Sequence, residues 1–196
     1  MIAILTGDII GSRGIDPKLW MPILEAAVKQ YAIKYDIFRG DSFQVEVATA
    51  DTFVAVFYIK AALIQVKLDA RIGIGIGERG LEAKHIKNSF GTALLNSGDA
   101  FESLKRNSLM LKSESPDFDE MCNVMLALST ELTARWTVNM AELVMTALQY
   151  PEISQLAMAK LLNKRYQSQI STGLQKAAYP KLKTAIDYCT RELLKL

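Results

Sequence analysis

The stretch Ala70-Arg71-Ile72-Gly73-Ile74-Gly75-Ile76-Gly77 constrains this chain more than any other. Isoleucine and glycine alternate with a period of two, the side-chain period of a β-strand. Ile72, Ile74 and Ile76 share one face. Gly73, Gly75 and Gly77 leave the other face bare, so a helix backbone or a ligand can approach it closely.

The segments around this strand predict the rest of a sheet. Ile2 to Gly7 is a short apolar run ending in Gly-Asp and reads as a buried strand. Asp16-Pro17 supplies an N-cap and a proline at the first helical position, and Trp20, Leu24, Ala27 and Tyr31 then fall on one helix face. Tyr35 to Arg39 and Ser42 to Ala48 read as two strands. In the second, Phe43, Val45 and Val47 alternate with Ser42, Gln44 and Glu46, and the intervening Gly40-Asp41 predicts a tight hairpin. Asp51 to Leu68 and Phe90 to Arg106 read as helices, and Ser108 to Lys112 as a short strand. This order predicts an α+β domain of ferredoxin-like, nucleotide cyclase-like type over residues 1–113. The polar, proline-containing stretch Ser113 to Asp119 reads as a linker to an all-α domain over 114–196. There Met121, Met125, Leu128 and Leu132 mark one helix face. Ala141, Val144, Met145 and Leu148 mark the next, which Pro151 stops.

A helix-turn-helix is expected at about residues 152–180. Ser154 caps a short helix with an apolar face of Leu156, Ala159 and Leu162, and Asn163 suits the left-handed conformation that ends it. Gln167 to Ala178 reads as the second helix, with Ile170, Leu174 and Ala177 inward. Gln167 leads it, and Ser168, Gln169, Ser171, Thr172, Gln175 and Lys176 face outward. Such short polar and amide side chains suit hydrogen bonding to base edges, while Lys164, Arg165, Lys181 and Lys183 are candidates for phosphate contact. The charge distribution agrees. The total is only +2, but residues 151–196 hold eight basic and three acidic residues, a net +5, leaving −3 on residues 1–150. A basic helical segment on an acidic body is the electrostatic footprint of a DNA reader. The competing reading is a helical bundle that only packs and dimerises.

Half of the residues are hydrophobic and 22% are charged, which excludes a disordered chain. Cys122 and Cys189 lie far apart and form no C-x-x-C, and the single histidine, His85, reads as an ordinary surface residue. Neither a disulfide framework nor a His-based metal site is therefore expected. The longest apolar stretch, Phe53 to Val66, contains Lys60 and is shorter than the ~20 residues of a spanning helix. No basic segment precedes the N-terminal apolar run. A cytoplasmic protein with no membrane partner is expected.

Two Gly-Asp pairs, Gly7-Asp8 and Gly40-Asp41, follow two predicted strands. In a ferredoxin-like sheet the first strand lies beside the hairpin, so Asp8 and Asp41 can meet at one end. Two carboxylates there suit Mg²⁺, a hard ion that prefers oxygen ligands and phosphate partners. Equally, Gly40-Asp41 is ordinary turn chemistry and Asp8 a strand-end cap. Gly75 to Gly80 matches the G-x-G-x-x-G pattern, but its first glycines lie inside a strand instead of a loop opening a helix, so a dinucleotide site is not expected.

Thr6-Gly7-Asp8-Ile9-Ile10-Gly11-Ser12-Arg13 and Arg39-Gly40-Asp41-Ser42-Phe43-Gln44-Val45-Glu46 resemble motifs of the SatD family of bacterial proteins. The Arg71 to Gly77 strand, Ser97-Gly98-Asp99-Ala100-Phe101-Glu102 and the Trp136 to Leu148 helix extend the resemblance over nearly the whole chain. It implies a bacterial protein with a C-terminal helix-turn-helix. The N-terminal order more distantly resembles class III nucleotide cyclases and GGDEF domains, whose first-strand and hairpin aspartates match Asp8 and Asp41. Arg71-Ile72-Gly73-Ile74 looks like their Arg-x-Gly-Ile strand. In those enzymes the aspartates hold metal ions that activate the ribose hydroxyl and bind the triphosphate. Their helix after the glycine-rich strand carries an Asn and an Arg for the transferring phosphoryl group. Gly91 to Leu104 offers Asn96 but no arginine. The resulting expectation is a homodimeric DNA-binding regulator whose N-terminal domain binds a nucleotide or other phosphorylated ligand, with Mg²⁺ on Asp8 and Asp41. The expected ligand contacts are Ser12 and Arg13 beyond the first strand, Arg39 and Gly40 of the hairpin, and Asn96. The alternative is a Mg²⁺-dependent nucleotidyl cyclase or other phosphoryl-transfer enzyme.

Overall fold

A computed structural model describes residues 1–80, 85–86 and 90–196. The five strands are β1 (Ile2–Ile10), β2 (Ala32–Phe38), β3 (Ser42–Val47), β4 (Asp69–Gly77) and β5 (Leu109–Lys112). They form one mixed sheet in the order β2-β3-β1-β4-β5. Only β4 and β5 run parallel. The described residues contain eight α-helices: α1 (Pro17–Lys29), α2 (Thr52–Ile64), α3 (Thr92–Glu102), α4 (Pro116–Thr133), α5 (Val138–Gln149), α6 (Gln155–Leu161), α7 (Gln167–Lys176) and α8 (Tyr179–Leu193). The fold is α+β. No helix among the described residues is long and apolar enough to cross a membrane.

β1 is longer than its apolar run predicts. It is the central strand, and both neighbours keep pairing with it past Gly7: Asp8 opposes Ser42 on one side and Arg71 on the other. Its odd residues Ala3, Leu5 and Ile9 join Phe43, Val45, Ile72, Ile74 and Ile76 in the main core. α1 and α2 contribute Trp20, Leu24, Phe53, Phe57 and Leu63 to the same core. Asp16 starts α1 as predicted, its carboxylate accepting from the Lys18 amide at 3.0 Å. α2 is apolar all round because it is packed on several sides, against β4, α1, α5 and α8.

The bare face of β4 is covered by α3. A Cβ on Gly73 would meet the Ser97 carbonyl oxygen at 2.6 Å, and one on Gly75 would overlap the Ala93 carbonyl oxygen and the Ser97 amide nitrogen. Of the two occupants the sequence allows, a helix backbone takes the place. Two polar contacts fix α3: the Thr6 and Ser97 hydroxyls are 2.9 Å apart, and Asn96 Nδ2 donates to the Ile76 carbonyl at 2.8 Å.

Within α2, Lys60 is fully buried. Its ammonium donates to Asp69 Oδ1 at 2.7 Å, the Ala70 carbonyl at 3.1 Å and Ser108 Oγ at 3.3 Å. Burial pushes its pKa down, and Asp69 opposes that shift. The three acceptors match the three donors of an ammonium, which is how a buried charge is tolerated.

The stretch 113–119 differs from the expected linker. Ser113 Oγ donates to Asp119 Oδ1 at 2.6 Å, and the Ser113 amide donates to Asp119 Oδ2 at 2.9 Å. α4 already begins at Pro116, with Asp117 and Asp119 in its first turn, where the helix dipole favours acids. Asn123 then reaches back to β5: its Oδ1 accepts from the Leu111 amide at 2.7 Å and its Nδ2 donates to the Leu111 carbonyl at 2.9 Å. The carboxamide closes the free edge of β5 much as another strand would. Buried residues from the sheet and from α4, α5, α6, α7 and α8 belong to one continuous hydrophobic cluster.

Two helix faces also differ from expectation. α4 buries Phe118, Cys122, Leu126, Ser129 and Thr133, leaving Leu128 62% exposed. Its Thr133 hydroxyl is satisfied by the Thr130 carbonyl at 3.0 Å, so a polar residue can take an inward position that a purely apolar count assigns elsewhere. In α6, Met158 and Ala159 point inward and Leu156 is 59% exposed. With only seven residues, α6 buries a narrow seam that a one-residue offset displaces.

Candidate functional site

Two places collect the residues singled out in the sequence. The first is the end of the sheet where β1 leaves it. Pairing puts Asp8 between Ser42 and Arg71, with the side chains of all three on the face that α3 partly covers. Arg71 grips Asp8 with two hydrogen bonds, Nε to Oδ1 at 3.0 Å and Nη2 to Oδ2 at 2.5 Å. The guanidinium also lies over the Phe101 ring, 5.7 Å from its centroid. The hydrogen bonds to Asp8 push the Arg71 pKa further up.

Asp41 closes the β2–β3 hairpin. Arg39 and Gly40 take the two positive-φ positions of its turn, at 54° and 89°. Glycine adopts that conformation without strain, which is why Gly-Asp predicts the hairpin. The Asp41 carbonyl accepts from the Ile9 amide at 3.1 Å, and its Oδ2 accepts from Ser12 Oγ at 2.7 Å. Ser12 reaches inward because Gly11, at φ 82°, turns the chain into a 3₁₀ turn over Ser12–Gly14. The same turn leaves Arg13 exposed, as Arg39 is on the hairpin.

The structure thus brings Asp8, Ser12 and Asp41 to one end of the sheet, with Arg13, Arg39 and Gly40 on the flanking turns. It does not bring Asn96 there. Asn96 bonds the Ile76 carbonyl, and Ile76 pairs with Ala3, five positions along β1 from Asp8 or about 16 Å. As arranged, both Asp8 oxygens are used by Arg71 and one Asp41 oxygen by Ser12. Among the described residues no group of three or more His, Cys, Asp or Glu is placed to hold a metal ion. Arg71 is the member that residue-by-residue reading passes over. Its position on the glycine face of its strand is legible, but its partner depends on register. His85 is half-exposed and pairs with Asp36 at 2.8 Å, on β2.

The second place is α5–α6–α7. Ser154 caps α6 by accepting from the Ala157 amide at 3.1 Å. Asn163 ends it in the left-handed conformation, φ 52°, as its residue type predicts. α7 buries Ile170, Gly173 and Leu174, with Ala177 following, and Leu143 of α5 packs where a Gly173 side chain would be. Ser168, Gln169, Thr172, Gln175 and Lys176 are exposed on its outer arc and Ser171 is half-buried at its margin. Ser168, Gln169, Thr172 and Lys176 also line an open cavity of about 420 Å³ with Thr137 and Asn139 beside α5. Two side chains of this segment are already engaged. Gln169 Oε1 accepts from the Tyr166 amide at 3.0 Å, and Gln167 Nε2 donates to Gln155 Oε1.

The basic residues divide in two. Lys164 is held by Glu142 at 2.8 Å and Asn139 at 3.0 Å, and Lys183, Arg191 and Lys195 also have acidic partners. Lys160, Arg165, Lys176 and Lys181 make no ion pair among the described residues. Arg165 stacks over Tyr166, 5.1 Å from the ring centroid. Net charge counts all eight cations alike, whereas among the described residues only the first four have an ion-pair partner.

Comparison with protein-family models, curated proteins and solved structures finds no match.

Proposed function

We propose that this chain is a DNA-binding regulator of the SatD type, acting as a cytoplasmic homodimer, with α6–α7 as its helix-turn-helix. The observation that carries this reading is the outer arc of α7. Six polar or basic side chains and no acid cover it, while its inner arc is fixed on α5. Exposed polar side chains on a helix held in this way can address base edges, Gln169 after releasing the Tyr166 amide, and Arg165 just before the helix and Lys176 at its last residue suit flanking phosphates. A pair of such helices, one per subunit, would read two half-sites.

Binding to mixed-sequence duplex is expected to weaken with salt. Arg165→Glu and Lys176→Glu should each reduce the log–log slope by about 0.9. Lys164→Ala should change the slope least of the three, because Glu142 already neutralises that ammonium. Fluorescence anisotropy over a salt series measures this. A slope unchanged in both charge-reversal variants would refute the surface.

For the N-terminal part, the order β2-β3-β1-β4 is that of a ferredoxin-like sheet, which supports the cyclase-like reading of residues 1–113. The proposed ligand is a nucleotide or other phosphorylated molecule at the β1 end, contacted by Ser12, Arg13, Arg39 and Gly40. Mg²⁺ would be held by Asp8 and Asp41, and this requires Asp8 to exchange its Arg71 partner for the ion. The released guanidinium is then a phosphate ligand, so the ion and the phosphate would arrive together. Calorimetric titration with ATP or GTP is expected to show binding that depends on Mg²⁺ and is lost in Asp8→Ala and Asp41→Ala, without turnover. Turnover lost in the same variants would instead establish the phosphoryl-transfer enzyme.

A further inference from the structure

A cavity of about 300 Å³ lies where the ends of α1 and α5 meet the start of α2 and the body of α8. Val54, Leu148 and Ile186 give it an apolar wall. Its polar lining is rich in acceptors. The Tyr31 and Tyr179 hydroxyls donate to the Leu148 and Ala147 carbonyls of α5, both at 3.3 Å. Burial keeps these phenols protonated. It pushes Tyr31 up to about 12, with Tyr58 and Asp51 adding to the rise, and it pushes Tyr179 up, with Asp187 adding to that. Their protons stay on α5, so the phenol oxygens have only lone pairs left to offer. Asp51 and Asp187 add two carboxylates. The C-termini of α1 and α5 add the partial negative charge of two helix ends. Among the described residues, Lys183 is the one cation that lines the cavity, and Asp187 holds it at 2.6 Å. A second cavity, of about 290 Å³, shares Tyr179 and Lys183 with the first and continues past Ile153, Met158 and Leu174.

We propose that this cavity binds a small organic cation, with its ammonium group seated among Asp51, Asp187, Tyr31 and Tyr179 and its short apolar body along the wall towards the second cavity.

An ammonium carries donors and no acceptor, the inverse of this lining. Carboxylates and aromatic rings both attract it. An anion would instead meet two carboxylates and two helix C-termini. A metal ion would leave the apolar wall in water, in a space of about ten water volumes. Asp187 can turn from Lys183 to the ligand, because both side chains are half-exposed and such a pair is worth little in water.

The test uses the native full chain with neither DNA nor nucleotide, so its failure would leave those readings standing. Calorimetric titration with three probes separates head from body. Phenethylamine carries both, phenethyl alcohol lacks the charge, and methylamine lacks the body. Phenethylamine is expected to bind saturably and about tenfold or more tighter than either of the others. Asp51→Asn should weaken its binding about tenfold, whereas Lys183→Met should tighten it, because Asp187 is then free for the ligand. Glu131→Gln, which removes an exposed acid outside the cavity lining, should leave it unchanged. Asp51 is exposed, and asparagine also suits the N-cap position that it holds for α2, so folding should be preserved, which urea unfolding verifies. Any of four results overturns the proposal. They are no saturable binding of phenethylamine up to about 10 mM, equal affinity for phenethylamine and phenethyl alcohol, no greater loss in Asp51→Asn than in Glu131→Gln, or weaker binding in Lys183→Met.

Discussion

Gly75→Ala is expected to lose about 3 kcal/mol or more of folding stability, at or beyond the upper end of ordinary overpacking. The added methyl would overlap the Ala93 carbonyl oxygen and the Ser97 amide nitrogen. Both belong to the backbone of α3, so no side-chain rotation relieves the overlap, and the helix must lift from the sheet. Lifting it also strains the Thr6–Ser97 and Asn96–Ile76 hydrogen bonds. Gly98 on the same helix is the control. A Cβ there meets nothing within 4 Å, so Gly98→Ala should be neutral or stabilising by up to about 1 kcal/mol through helix propensity. Urea unfolding of the two variants measures the contrast. Equal stabilities would mean that α3 does not rest on the glycine track.

Asp69→Ala is expected to cost about 3–5 kcal/mol at neutral pH, because it leaves the Lys60 ammonium buried without a counter-ion. Lys60→Met removes the charge and nearly preserves volume, and should be neutral or stabilising by about 1–4 kcal/mol. The pH dependence separates this from a packing effect. Burial lowers the folded pKa of Lys60 below its unfolded value of about 10.4, so between the two the unfolded chain binds a proton that the folded chain has released. Stability from this group therefore rises with pH through that window. Lys60→Met should flatten the rise. Asp69→Ala should steepen it, since loss of the carboxylate lowers the folded pKa further. Urea midpoints at neutral and alkaline pH give both slopes, and parallel slopes in all three proteins would show that Lys60 is not a buried cation.

What was legible in the sequence was local. The Gly40-Asp41 hairpin, the Asp16 cap, the glycine face of β4 and the inward residues of α7 each follow from conformational preference or periodicity over a few residues. What was not legible required two distant segments in register. Asp8 and Arg71 are 63 positions apart, and only the β1–β4 pairing makes them partners. Cys122 and Cys189 are buried only because α4 and α8, distant in sequence, pack on each other. The phase of α4 departs from its apolar pattern because Ser129 and Thr133, polar by type, take inward positions. The end of the sheet is thus legible as a place, but Arg71's hold on Asp8 is not. The basic character of the C-terminal segment is legible in total, but which of its cations have an ion-pair partner among the described residues belongs to the fold.

The Asn123 carboxamide on β5 turns the passage from sheet to helices into a matter of phase. Asn123 meets Leu111 only because a fixed number of residues separates Lys112 from that turn of α4. One residue inserted or deleted between them would swing Asn123 about 100° around the helix axis. The joint behaves like a keyed shaft. Its length is part of its meaning, so variation that an ordinary inter-element loop absorbs would here disengage α4 and the helices after it from the sheet that they are mounted on.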